Sequence, residues 1–157
     1  MSFFRYSARR RIFSDGPHQD RRSALLTLAG ILWASPLTLC GLLLALPIMI
    51  GKGQLAVVHS PTPALLVSGK VADYLLDRHP FGAMCAMAIG HILIADLKSL
   101  TPQILTHELA HVRQAAVWGA LFPFAYLAAS LWAVLHGHDA YWNNAFEVAA
   151  RRAERHS

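Results

Sequence analysis

The stretch Thr106-His107-Glu108-Leu109-Ala110-His111-Val112-Arg113-Gln114 decides how the rest of the chain is read. Its His-Glu-x-x-His spacing lies inside a helical pattern, and residues four apart on a helix stack on one face. His107 and His111 can therefore offer one imidazole nitrogen each to a single ion. Glu108 is rotated by about 100° from His107, so it misses the ion but can reach a water bound to it. Two neutral nitrogen ligands, with a carboxylate able to take a proton from zinc-bound water, are what metal-assisted hydrolysis requires.

The helix carrying this motif has legible ends. Thr101 suits the cap, and Pro102 the first helical position, where its missing N–H costs nothing. The pattern runs to Trp118, and Gly119 is well placed to end it. The apolar positions Ile104, Leu105, Leu109, Val112 and Ala116 put the histidine stripe beside the buried face, where a half-buried ion would sit. Just upstream, Met87 to Ala95 reads as one apolar strand, in which Gly90 would permit close approach of another backbone. In zinc peptidases the strand before the metal helix often lies at a sheet edge, where an extended peptide can pair with it. His91 on that strand reads more readily as a hydrogen-bonded structural residue than as a substrate contact. Further back, residues 54–58 and 64–68 read as short strands joined by a turn over His59 to Pro63. Residues 70–78 read as an amphipathic helix with Val71, Tyr74, Leu75 and Leu76 inward.

The 157 residues are 55% apolar and only 15% charged, against roughly 45–50% and a quarter in ordinary globular domains. Part of this chain's solvent is therefore expected to be lipid. The net charge of +5 is mostly N-terminal: Arg5, Arg9, Arg10, Arg11, Arg21 and Arg22 face only Asp15 and Asp20, and from Lys52 onward eight basic residues meet seven acidic ones. No basic stripe with interleaved aromatics is visible, which argues against a nucleic-acid partner. With only Cys40 and Cys85, a cysteine-rich zinc site is excluded and a disulfide is not expected.

Residues 1–23 read as a basic flexible arm. Ala24 to Ile50 follow with 27 residues free of charge, where about 20 suffice to cross the hydrocarbon core. They are expected to form a membrane anchor: one tilted span kinked at Pro36, or a re-entrant hairpin of two short helices. A single span preceded by six arginines puts the N-terminus in the cytoplasm of a bacterial inner membrane and residues 51–157 outside it. Residues 115–135 are again almost uncharged. A crossing there would carry any later ligand about 30 Å from His107, so residues 120–135 are expected to be buried in the domain or to dip into the bilayer face, broken near Pro123.

His136 to Asp139 reads as a turn, and Asn143-Asn144 opens a last helix to about Arg155. A catalytic zinc needs a third protein ligand. On spacing, Glu147, His136, His138, Asp139 and Glu154 are all available. Asn144 with Glu147 three residues on also fits a capping-box start with no role in metal binding.

His-Glu-x-x-His with a glutamate on a downstream helix resembles the gluzincin branch of the zincin metallopeptidases. The run Gly90-His91-Ile92, His107 to Gln114, Trp118-Gly119, Tyr141 and Asn144-Ala145-Phe146-Glu147 through Ala150-Arg151 resembles small bacterial proteins with a minimal gluzincin-like domain. The resemblance implies that His107, His111 and Glu147 bind zinc and that Glu108 is the general base. A common gluzincin pattern has an acidic residue four positions after the glutamate ligand, where this chain has Arg151. Zinc-bound water activated by Glu108 would then attack a peptide bond of a peptide or protein substrate, with Tyr141 or His138 as a donor to the oxyanion. The expected fold is α+β: an N-terminal transmembrane helix or hairpin, then a small zincin-like domain with a short sheet and the His-Glu-x-x-His helix packed on further helices. The rival reading is a membrane-anchored zinc-binding domain that grips a protein partner without catalysis. A purely structural membrane protein with incidental histidines would bind no zinc.

Overall fold

The computed structural model describes residues 17–58, 62–79 and 82–155. Over these residues the fold is mixed α+β, helices packed on both faces of a four-stranded sheet. Residues 24–50 are covered by two helices, α1 (Pro17–Trp33) and α2 (Ser35–Ile50), which meet at a bend of 64°, a geometry open to both the broken span and the re-entrant hairpin expected there. Pro36 explains the break. Its ring clashes with the carbonyl four residues back and it has no N–H to give, so a new helix starts with Pro36 in its first turn. Residues 17–23, expected in the arm, are helical and belong to α1, whereas residues 1–16 lie outside the described part.

The sheet comprises β1 (Gln54–Val58), β2 (Ala64–Ser68), β3 (Ala86–Ile89) and β4 (Ile92–Ala95), ordered β1-β2-β4-β3. The outer pairs are antiparallel and the central β2–β4 pair is parallel. β1 and β2 occupy the expected residues; part of the connecting turn is outside the described residues. The strand expected over Met87–Ala95 is instead a hairpin: Gly90, at φ 59°, supplies the left-handed turn that a two-residue connection requires. Only the Gly90-His91 pair interrupts the apolar run, so the two apolar strands on either side of it read as one. β3 forms the sheet edge and β4 the interior, so the strand directly before the metal helix is not the edge one.

β4 is buried throughout and alternates between two cores. Ile92 and Ile94 face Ala45 and Ile48 of α2 together with Ala72 and Leu76 of α3 (Lys70–Asp77), while Leu93 faces Ala64 and Val112. Each such fully buried side chain contributes about 1.5–3 kcal/mol. In α3 the inward residues are Ala72 and Leu76, one turn apart, with Val71 beside them; Tyr74 and Leu75, expected inward, are exposed.

α2 lies directly on the hairpin. Gly90 does meet another backbone at close range, that of α2: a Cβ there would stand 2.5 Å from the Thr38 nitrogen. Gly90→Ala is thus both conformationally strained and overpacked, and is expected to cost more than about 1 kcal/mol in chemical denaturation.

The metal-motif helix α4 (Pro102–Trp118) starts as expected, with the Thr101 hydroxyl accepting from the Ile104 amide at 3.2 Å. It ends at Gly119, at φ 57°. A 3₁₀ turn (Gly119–Leu121) leads into α5 (Phe122–Leu135), and α6 (Ala145–Glu154) closes the described fold. By length and mean hydropathy the 34 residues Pro102–Leu135 could cross a membrane. They do not form one rod. On a straight helix Tyr126 would lie about 22 Å beyond His111, yet their rings are 6.5 Å apart. The chain turns at Gly119, ahead of the break expected near Pro123. α5 is not buried in the domain either: Ala133 alone among its residues is fully buried.

Candidate metal centre

α4 and α6 pack side by side and bring His107, His111 and Glu147 together; the three could hold a metal ion. His107 Nε2 is 3.1 Å from His111 Nε2. Glu147 presents Oε2 to His107 Nε2 and Oε1 to His111 Nε2, each at 3.2 Å. A tetrahedral ion with bonds of about 2.0–2.1 Å sets its donors roughly 3.3 Å apart, so the triangle fits zinc in size. Glu147 is also largely shielded from solvent, its side chain 4% exposed against 12% and 11% for the two histidines.

The proton positions sharpen the point. The Gln114 amide donates through Nε2 to the Phe146 carbonyl at 3.0 Å, so its oxygen faces His111 Nδ1 at 2.8 Å as an acceptor. His111 therefore carries its proton on Nδ1 and turns a bare lone pair on Nε2 inward. His107 Nδ1 is likewise tied to the Glu154 carboxylate. Two aprotic nitrogens face each other at 3.1 Å, beside the Glu147 Oε2 atom, which is buried and accepts no hydrogen bond. Three converging lone pairs with no proton between them repel; a cation removes the repulsion.

Glu147 is positioned by its surroundings. The Tyr126 hydroxyl of α5 donates to Oε1 at 2.8 Å, and Arg151 NH1 lies 3.8 Å from Oε2. Burial pushes the carboxyl up, but His107 and His111, whenever they carry a proton on Nε2 in place of a cation, and the Tyr126 hydroxyl outweigh it and hold the group well below the usual carboxylate range. Asn144, fully buried, ties the start of α6 to α5. Its amide donates to the Tyr126 carbonyl at 3.0 Å and the Ser130 hydroxyl at 2.8 Å, and its oxygen accepts from the Phe146 amide at 2.9 Å. Asn144 is thus the expected cap. Glu147 does not close a capping box, because both its oxygens face the histidines.

Glu108 is buried on the β3 side of α4, its carboxylate hydrogen-bonded to the Ala88 backbone. Tyr141 is half-exposed near Glu147; burial, then the Glu147 charge, push its hydroxyl up to about 12. The other candidate ligands lie elsewhere. His136 binds the Trp132 carbonyl at 2.8 Å, His138 is exposed, and Asp139 caps its own turn through the Tyr141 and Trp142 amides at 2.8 and 2.7 Å. His91, buried, holds the Pro63 carbonyl through Nδ1 at 2.8 Å, away from the cluster, in keeping with a structural role. Arg113 is exposed.

Three contributors escaped the sequence reading: Tyr126, Gln114 and the supporting role of Glu154. Helical spacing could have flagged two of them. Gln114 is one turn after His111, and Glu154 is two turns after Glu147 on the same face. Glu154→Ala is expected to weaken metal binding about 10–100-fold, as loss of a histidine's carboxylate partner does, measured by competition with a chromophoric chelator.

Compared with known protein families, with curated proteins and with solved structures, the chain matches none.

Proposed function

We propose that this chain is a membrane-bound, gluzincin-like zinc metallopeptidase whose ligands are His107, His111 and Glu147. One observation carries the reading: three lone pairs, two from half-buried imidazoles and one from buried Glu147, converge with the imidazole protons held on the far side of each ring, one residue from a buried carboxylate that is not among them. A bound zinc would act as a Lewis acid and lower the pKa of water toward neutrality. Glu108 would be the base that accepts a proton from that water and the acid that returns it to the leaving amine. Tyr141 is protonated at neutral pH, with its hydroxyl pushed up to about 12, and serves as donor to the developing oxyanion. Tyr126, Gln114 and Glu154 keep the ligands aimed. A peptide is the favoured substrate because β3 is the sheet edge beside Glu108, where an extended chain can add as a further strand. Membrane attachment is assigned to α1 and α2, which qualify together as a broken span or a re-entrant element.

The test is zinc-dependent cleavage of a peptide library by the full chain in vesicles, beside Glu108→Gln. Cleavage that needs both zinc and Glu108 supports the reading. Stoichiometric zinc with no cleavage would leave the non-catalytic partner-binding domain in its place.

A further inference from the structure

α5 is built inside out for water. Its inward stripe contains Phe122, Tyr126, Ser130 and Ala133, spaced three or four apart, and includes both of its hydroxyl side chains. Its outward face is Phe124, Leu127, Leu131, Trp132 and Leu135, with Phe124 70% and Trp132 67% exposed. A helix with one side in water shows the reverse arrangement; polar groups turned inward and large apolar ones outward are what lipid selects.

The face does not end with α5. Trp33, at the α1–α2 bend, packs over Gly119, where a Cβ would stand 2.5 Å from its Nε1, and Gly30 packs against Ala116. α2, whose residues Leu39, Leu43 and Leu46 are exposed, packs on the same Gly119–Leu121 turn that leads into α5. All four tryptophans of the chain, Trp33, Trp118, Trp132 and Trp142, are 44–67% exposed. Indoles that exposed suit the headgroup level of a bilayer. The arginines before α1 match anionic headgroups in charge.

We propose that α5 and the α4–α5 turn are bedded in an anionic phospholipid bilayer, continuous with α1 and α2, so that the metal centre stands at the membrane surface. At 14 residues, α5 is about 21 Å long and falls short of the roughly 30 Å hydrocarbon core, so it enters the bilayer without crossing it. This rests on packing and exposure alone and is independent of whether the centre hydrolyses anything.

The test uses the full chain with Trp33, Trp118 and Trp142 changed to Phe, in phosphatidylcholine–phosphatidylglycerol vesicles with and without brominated acyl chains. Trp132 emission is expected to be blue-shifted, to lose most of its intensity to brominated lipid, and to resist aqueous iodide. Red-shifted emission quenched by iodide would overturn the proposal. So would blue-shifted emission insensitive to both quenchers, which would mean that a second copy of the chain covers α5. As a check on the aromatic substitutions, Leu131→Cys in a chain with Cys40 and Cys85 changed to Ser carries a nitroxide. That label is expected to be accessible to oxygen and protected from a water-soluble nickel chelate; the opposite ranking contradicts the proposal.

Discussion

Glu108→Gln is expected to lower kcat/KM for peptide cleavage by about 10²–10⁴, the contribution of a positioned general base, while zinc remains bound. The carboxylate lies outside the three-donor triangle, so its loss leaves the ligands intact. Glutamine keeps the side-chain length and an oxygen that can still accept from the Ala88 backbone, so β3 and α4 stay in contact. What disappears is the ability to take a proton at that position. Zinc content and turnover measured on one preparation separate the two effects. Turnover that survives with zinc bound would remove Glu108 from the mechanism.

Glu147→Ala is expected to act on the metal itself. It deletes the anionic donor and leaves the Tyr126 hydroxyl and Arg151 without their shared carboxylate. Affinity should fall by more than the roughly 10–100-fold that loss of a supporting partner costs. Thermal melting reads this directly. At zinc concentrations about 100 times the dissociation constant, binding adds about 2.7 kcal/mol to the folded state. The parent chain should gain that increment and the Glu147→Ala chain little or none; equal gains would mean that the third donor is another residue.

Much of this centre was legible in the sequence because helices have fixed geometry. The spacing of His107 and His111, the Thr101 cap, Pro102 and Gly119 are local signals, and the structure follows each of them. Glu147 was harder, since its meeting with α4 is a tertiary event. Spacing left five candidates, and only a resemblance singled one out. Tyr126 could not be read at all: it sits in an apolar stretch, and its role exists only because the chain turns back at Gly119. The same limit applies to the Gly90 hairpin and to the 64° bend between α1 and α2. Pro36 marked the place of the bend but not its size, and at Gly90 the apolar residues on either side of the Gly90-His91 pair read as one element, because periodicity cannot separate one long apolar run from two short ones. The inward face of α3 was misread for a related reason, since α3 spans barely two turns and Ala72 carries little hydrophobic signal.

Metal analysis of the full chain, purified without chelator and dialysed against trace zinc, tests the central claim most directly, with the Glu147→Ala chain run in parallel. About one zinc per parent chain, with a large loss in the variant, is the predicted result. No stoichiometric metal in the parent chain, or the same amount in both, would contradict a centre made of His107, His111 and Glu147.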